Sequence, residues 1–198
     1  MSDKTELLRA IKDEVLALKA SPLYAERIKN KVFPVIGEGS HDAKIMFVGE
    51  APGRNEAQTG RPFVGAAGKL LDQMLESVGI ERADVYITNI VKDRPPFNRD
   101  PLPEEIKAYG PFLERQINII QPKVIATLGR FSMEYIIRLF GKEAELKPIS
   151  KLHGTVIPAE ASYGSIVIIP LYHPAVAIYN QNSKETLFED FKILKQYA

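Results

Sequence analysis

The sequence predicts an α/β protein, a three-layer αβα sandwich built around a central four-stranded, mainly parallel sheet. Three observations carry that expectation. Four short runs, Ala43–Gly49, Val85–Val91, Val124–Gly129 and Ile166–His173, are apolar almost throughout, as strands buried on both faces are. Segments with helical spacing of apolar residues lie between them. Strand and helix therefore alternate, which implies parallel pairing with helices on both faces of the sheet.

The first element is a helix over Glu6–Lys19, where Leu7, Leu8, Ile11, Val15 and Leu18 share one face; Ser21-Pro22 ends it. Strand Ala43–Gly49 opens into a turn punctuated by Gly and Pro, and a helix follows at about Ala66–Val78. Strand Val85–Val91 runs into KDRPPFNRDPLP and then a helix over Pro103–Ile120. Pro103 suits a first helical turn, where its missing N–H is harmless, and Glu104 and Glu105 favour the helix dipole. Strand Val124–Gly129 leads to a helix near Phe131–Phe140. After Ile166–His173 a last helix is expected near Glu185–Tyr197. No repeat, low-complexity tract or linker divides the chain, so residues 1–198 are expected to form one domain.

A chain of 198 residues with 45% hydrophobic content can bury a sizeable core. Its apolar runs are too short to span a bilayer, and Met1–Ala20 is charged throughout, so no signal peptide is evident and a cytoplasmic monomer is expected. With zero cysteines, disulfides, thiolate metal sites and cysteine nucleophiles are excluded together. Only three histidines are present, His41, His153 and His173, which argues against a histidine-rich metal site. A net charge of +1 does not decide for or against nucleic acid; a polyanion site has to come from local clustering of Lys and Arg.

Ligands of parallel sheets bind beyond the carboxyl ends of the strands. That rule groups three segments: Gly49–Gly65, Asn89–Arg99 and Tyr172–Asn180. The first, GEAPGRNEAQTGRPFVG, matches neither a P-loop nor a dinucleotide fingerprint, and its Glu50 and Glu56 repel a bare pyrophosphate. Together the segments offer the Asn89 amide, His173, two carboxylates, the Phe63 ring and a basic rim of Lys92, Arg94 and Arg99. An amide donates and accepts at once, which suits a pyrimidine edge. An aromatic ring gives a base its stacking face. A histidine can donate to an oxygen that becomes negative in a transition state, and Lys and Arg can track phosphates. Taken singly, Asn89 reads as a turn residue, Phe63 as core and Glu56 as a solvated carboxylate. Their convergence makes a site. His41 and His153 read as structural or surface residues.

At these residues the sequence resembles the family 4 uracil-DNA glycosylases. The blocks that carry the resemblance are GEAPGRNEAQTGRPFVGAAGKLL, VYITNIVKDRPPFNRDPLPEEI, VIATLG and LYHPA. They stand in the family's order and cover nearly the whole chain from Gly37-Glu38-Gly39 onward. The resemblance implies the uracil-DNA glycosylase fold, uracil-containing DNA as partner, and a pocket for an extruded uracil. In it Phe63 stacks on the base, Asn89 reads the N3 and O4 edge, and Gly49 and the backbone near Ala51 help hold the ring. His173 stabilises charge on O2, and Glu50 supports the sugar cation or its attacking water. Glu56 borders the C5 edge. Lys92, Arg94, Arg99 and Pro174 would contact DNA, with Ile178 and Tyr179 as candidate wedges.

One departure stands out. The family normally carries an iron–sulfur cluster on four cysteines, and this chain has none. Asp93 and Tyr109 occupy two ligand positions, and the other two fall near Ser21–Ala25 in SPLYA. No cofactor is therefore expected. Packing of Leu23 and Tyr24 against Tyr109, with Asp93 paired to a cation such as Arg27, is expected to replace the clamp on the N-terminal segment. Two other functions compete. One is a uracil-DNA binder that traps its product covalently, which in such relatives needs a histidine-bearing loop after the second strand; KDRPPFNRDPLP contains no histidine. The other is a non-catalytic module that binds damaged DNA.

Overall fold

The computed structural model describes residues 2–198. Helix α1 (Ser2–Leu16) and the short α2 (Tyr24–Asn30) precede β1 (Glu38–Gly39) and β2 (Ile45–Gly49). Then come α3 (Arg54–Thr59), α4 (Ala66–Ser77), β3 (Tyr86–Asn89), α5 (Pro103–Ile120), β4 (Val124–Leu128) and α6 (Arg130–Leu139). The chain closes with α7 (Ile149–Leu152), β5 (Ile157–Ala161), β6 (Gly164–Leu171), α8 (Ala175–Tyr179) and α9 (Lys184–Phe191). The expected last helix breaks at Phe191, beyond which residues 192–197 tighten into a 3₁₀ turn.

Among the described residues the sheet has six strands in the order β1-β3-β2-β4-β6-β5. The inner four, β3-β2-β4-β6, are parallel. They are the expected four-stranded sheet. Two antiparallel edge strands extend it. β1 is two residues long, and β5 reads IPAEA, where Pro158 suits only an edge strand; neither gives a strong apolar signal. No helix among the described residues is long and apolar enough to cross a membrane.

The pleat divides the core in two. Met46, Val48, Ile125 and Ile168 pack with α1, α5 and α6 through Ile11, Leu113, Ile117 and Ile136. Their neighbours Ile45, Phe47, Val124 and Ile169 pack with α4 and α9 through Leu71, Met74, Leu187 and Phe191. Strands buried on both faces thus sit between two helical layers, which gives the αβα sandwich.

The N-terminal segment is fastened where the resemblance places a cluster. Ser21 Oγ bonds Tyr109 Oη at 2.5 Å, and Tyr109 Oη donates to Asp93 Oδ2 at 2.5 Å. Arg27 Nη1 donates to both Asp93 oxygens at 2.9 and 3.2 Å and to Val15 O at 3.1 Å, while Nη2 donates to Leu16 O at 2.7 Å. Ser21, Arg27, Asp93 and Tyr109 are all buried. Burial pushes the Asp93 carboxyl above its ordinary value, and the Tyr109 and Arg27 donors pull it back. The expected Asp93–Arg27 pair is present, and Leu23 packs in the same core as Tyr109. Tyr24 differs from expectation: its ring lies under the Arg27 guanidinium, 5.0 Å from centroid to Cζ, and Ser21 makes the polar contact with Tyr109. These groups bond one another and include no thiolate, so they do not fit an iron–sulfur cluster.

Candidate active site

In the parallel core the chain passes from β2 to β3 on one side and then crosses from β3 to β4 on the other side of β2, so the strand order reverses beside β2. A crevice is expected at such a switch point. A cavity of about 460 Å³ lies there, lined among others by Glu50, Ala51, Glu56, Phe63, Asn89 and His173. Residues from three separate loops therefore share one cavity.

Gly49 and Asn89 are direct neighbours in the β2–β3 register. Gly49 supplies absence rather than a contact: a methyl group there would strike Asn89 Oδ1 and the Phe63 ring. Asn89 is 2% exposed. Its backbone carbonyl accepts a bond from Lys92 Nζ at 2.7 Å, whereas its side chain lines the cavity and makes no hydrogen bond to the described residues. A nearly buried amide left without a protein partner has donor and acceptor capacity to spare for a ligand.

Phe63 holds a left-handed φ of 49°, which costs an L-residue about 1–2 kcal/mol. Glu56 supplies the compensation. Its Oε1 accepts the N–H groups of Val64 at 2.9 Å and Gly65 at 2.8 Å, clasping the turn around the ring. The Phe63 centroid lies 5.6 Å from that of His173. His173 Nδ1 accepts the Ala175 N–H at 3.1 Å, so the ring proton sits on Nε2. Burial pushes the His173 pKa down to about 4 against the upward pull of Glu56. At pH 7 the ring is neutral, with Nε2–H as its one donor.

Glu50 follows β2 and turns toward the start of α6, where Oε1 accepts the Phe131 N–H at 3.1 Å. Burial pushes its pKa up to about 7; the Phe131 N–H pulls down, Asp100 pushes up, and Arg130 and Glu134 act more weakly in opposite senses. A carboxyl that titrates near neutrality suits proton transfer.

The rim corrects several expectations. Lys92 is fully buried, its Nζ donating to Thr88 Oγ1 at 2.9 Å as well as to Asn89 O, and cannot track phosphates. Pro174 is also buried, as the N-cap of α8. Arg99 lines the cavity but is gripped by Glu105 at 2.6 and 2.9 Å. Arg94 Nε donates to Asn98 Oδ1 at 2.6 Å. Tyr179 lines the cavity and Ile178 does not. Asn98, which the sequence placed in the converging segment without a role, lines the cavity; sequence reasoning missed Asp100, which lines it too, and Arg130, which pairs with Asp100 at 2.7 Å. The NRD tripeptide held a signal for Asn98 and Asp100; Arg130 meets them only in space.

An α/β sandwich with an amide, a neutral imidazole and an aromatic ring around one cavity offers the donors, acceptors and stacking face that a planar base would meet. The model of the Uracil DNA glycosylase superfamily matches residues 36–192, and the chain belongs to that superfamily. The chain is 49% identical over 96% of its length, and 84% of the relative's, to a Type-4 uracil-DNA glycosylase of Sulfurisphaera tokodaii. A Type-4 uracil-DNA glycosylase of Archaeoglobus fulgidus is 46% identical over 94% of this chain and 91% of its own. One of Thermotoga maritima is 40% identical over 100% of this chain and 97% of its own.

Proposed function

We propose that this protein is a uracil-DNA glycosylase that extrudes uracil from DNA, hydrolyses the N-glycosidic bond and leaves an abasic site. Membership of the superfamily and the names of its Type-4 relatives support that activity. The observation that carries the mechanism is the cavity shared by the unpaired Asn89 amide and the neutral His173 ring.

A base inside a duplex cannot present its glycosidic bond, so it must leave the stack at a cost of a few kcal/mol. Uracil then lies over the Phe63 ring. The Asn89 amide donates to O4 and accepts from N3–H; cytosine presents the reverse pattern and leaves two buried groups unpaired. As the bond from C1′ to N1 breaks, its electron pair passes to the base and charge gathers on O2. His173 Nε2–H donates to that oxygen, a contact worth about 3–4 kcal/mol of barrier. The Glu50 carboxylate stabilises the sugar cation and takes a proton from the water that adds to C1′. Among the described residues no cluster of three His, Cys, Asp or Glu side chains could hold a metal ion. Tyr179, at the rim, fills the space the base leaves.

Single-turnover assays on U:A, U:G, single-stranded U and T:G oligonucleotides test this reading. Uracil should be released to an abasic product, and His173→Ala or Asn89→Ala should lower the rate about 10²–10³-fold with unchanged circular dichroism. Wild-type rates in both variants, or a protein–DNA adduct in place of abasic product, would defeat it.

A further inference from the structure

Two side chains stand apart on this surface. Phe97 is 96% exposed and Tyr179 is 90% exposed; the other exposed large apolar residues among those described reach at most 57%. Single exposed apolar residues are ordinary, but these two flank the same opening. Tyr179 lines the cavity from α8, and Phe97 is joined to Asn98, which lines it from the loop after β3.

The backbone holds Phe97 outward. Phe97 and Asn98 both take left-handed conformations, with φ of 58° and 55°, and neither is glycine. Such conformations persist only where neighbouring structure enforces them, and they gather at functional sites. Here Pro95 and Pro96 stiffen one side, Asn98 N donates to Pro95 O, and Arg94 Nε clasps Asn98 Oδ1. Arg94 has no carboxylate partner among the described residues, so a cation without a counter-charge is held against Asn98, the residue after Phe97. A rigid tip bearing an aromatic face next to an unpaired guanidinium matches a nucleic-acid strand, with a base for the ring and a phosphate for the charge.

We infer that Phe97 is a second DNA-contacting ring, stacking on a base beside the extruded nucleotide while Tyr179 acts from α8. This rests on the uracil-DNA glycosylase reading. Phe97 then anchors bound DNA and takes no part in bond cleavage.

The chain contains no tryptophan, so Phe97→Trp places a lone indole reporter at the tip. In a His173→Ala background, which holds substrate uncleaved, its fluorescence should be quenched by a uracil-containing duplex. Phe97→Ala should weaken the Kd for that duplex about tenfold, within the range for one lost base–aromatic stack. Phe97→Tyr should retain wild-type affinity, as should Ile28→Ala, which removes an exposed apolar side chain on α2. An unquenched indole, a Phe97→Ala affinity within twofold of wild type, or a Phe97→Tyr variant as weak as Phe97→Ala would overturn the inference. Those results alongside wild-type uracil release would leave the glycosylase reading standing. Absence of uracil release by the wild-type chain would overturn both.

Discussion

Arg27→Met tests the fastening of the N-terminal segment. Arg27 and Asp93 are 4% and 1% exposed, and four donor contacts run from one guanidinium to Asp93, Val15 and Leu16. Methionine keeps the apolar stem and removes every donor. Asp93 is then a buried carboxylate with Tyr109 as its one remaining donor, and the end of α1 loses two carbonyl contacts. Breaking a buried pair from one side costs about 3–5 kcal/mol. At roughly 2–4 °C per kcal/mol for a chain of this size, thermal unfolding should move down by about 6–20 °C. Scanning calorimetry, with urea titration for the free energy, measures it. Arg27→Met with Asp93→Asn removes both charges and should be more stable than Arg27→Met alone. A shift below about 2 °C, or a double variant no better than the single one, would refute the view that this network replaces the cluster as clamp.

Glu50 should set the pH response of excision. Its pKa near 7 predicts that kcat/KM rises with pH through that value, and that Glu50→Gln removes the rise while His173→Ala only lowers the profile. The same carboxyl has its folded pKa above the ordinary 4.5, so its contribution to stability is full below about pH 4.5 and is lost as pH climbs through 7; Glu50→Gln should flatten that part of the stability curve. Glu56→Ala frees the Val64 and Gly65 N–H groups and should cost about 2–3 kcal/mol in urea unfolding, with a raised KM as the Phe63 turn loosens. Lys92→Met should destabilise by about 1–3 kcal/mol yet leave the salt dependence of DNA binding unchanged, whereas Arg94→Ala should reduce that slope by about one.

The inner strands and the long helices were legible because their signals are local. Ile45–Gly49 is an unbroken apolar run and Val124–Leu128 is interrupted only by Thr127, and α5 begins at the proline that marks it. Edge strands were missed because pairing on one side demands little of the sequence, and Pro158 argued against β5 unless its place in the sheet was known. The candidate site was legible as a set, since loops at the carboxyl edge must gather somewhere. What each residue does there was less so. Lys92 and Arg94 are two residues apart and look alike in sequence, yet one lies wholly inside the protein and the other meets solvent. The clasp of Glu56 on Val64 and Gly65 depends on a turn whose shape no spacing rule supplies. Arg27 with Asp93 could be anticipated because the resemblance puts Asp93 at a buried position, where a carboxylate demands a cation.

The lateral pairing of Gly49 with Asn89 reaches beyond the two residues. Side chains of a strand alternate between faces, so a shift of β3 by a single step would turn the amide away and offer Thr88 or Ile90 in its place. On the proposed reading of Asn89, choice of base is thereby tied to the alignment of main chains deep in the molecule rather than to the posture of a pliable loop. Lengthening the surface connections should leave discrimination intact, while deleting one residue inside Tyr86–Asn89 should abolish it even if the protein still folds.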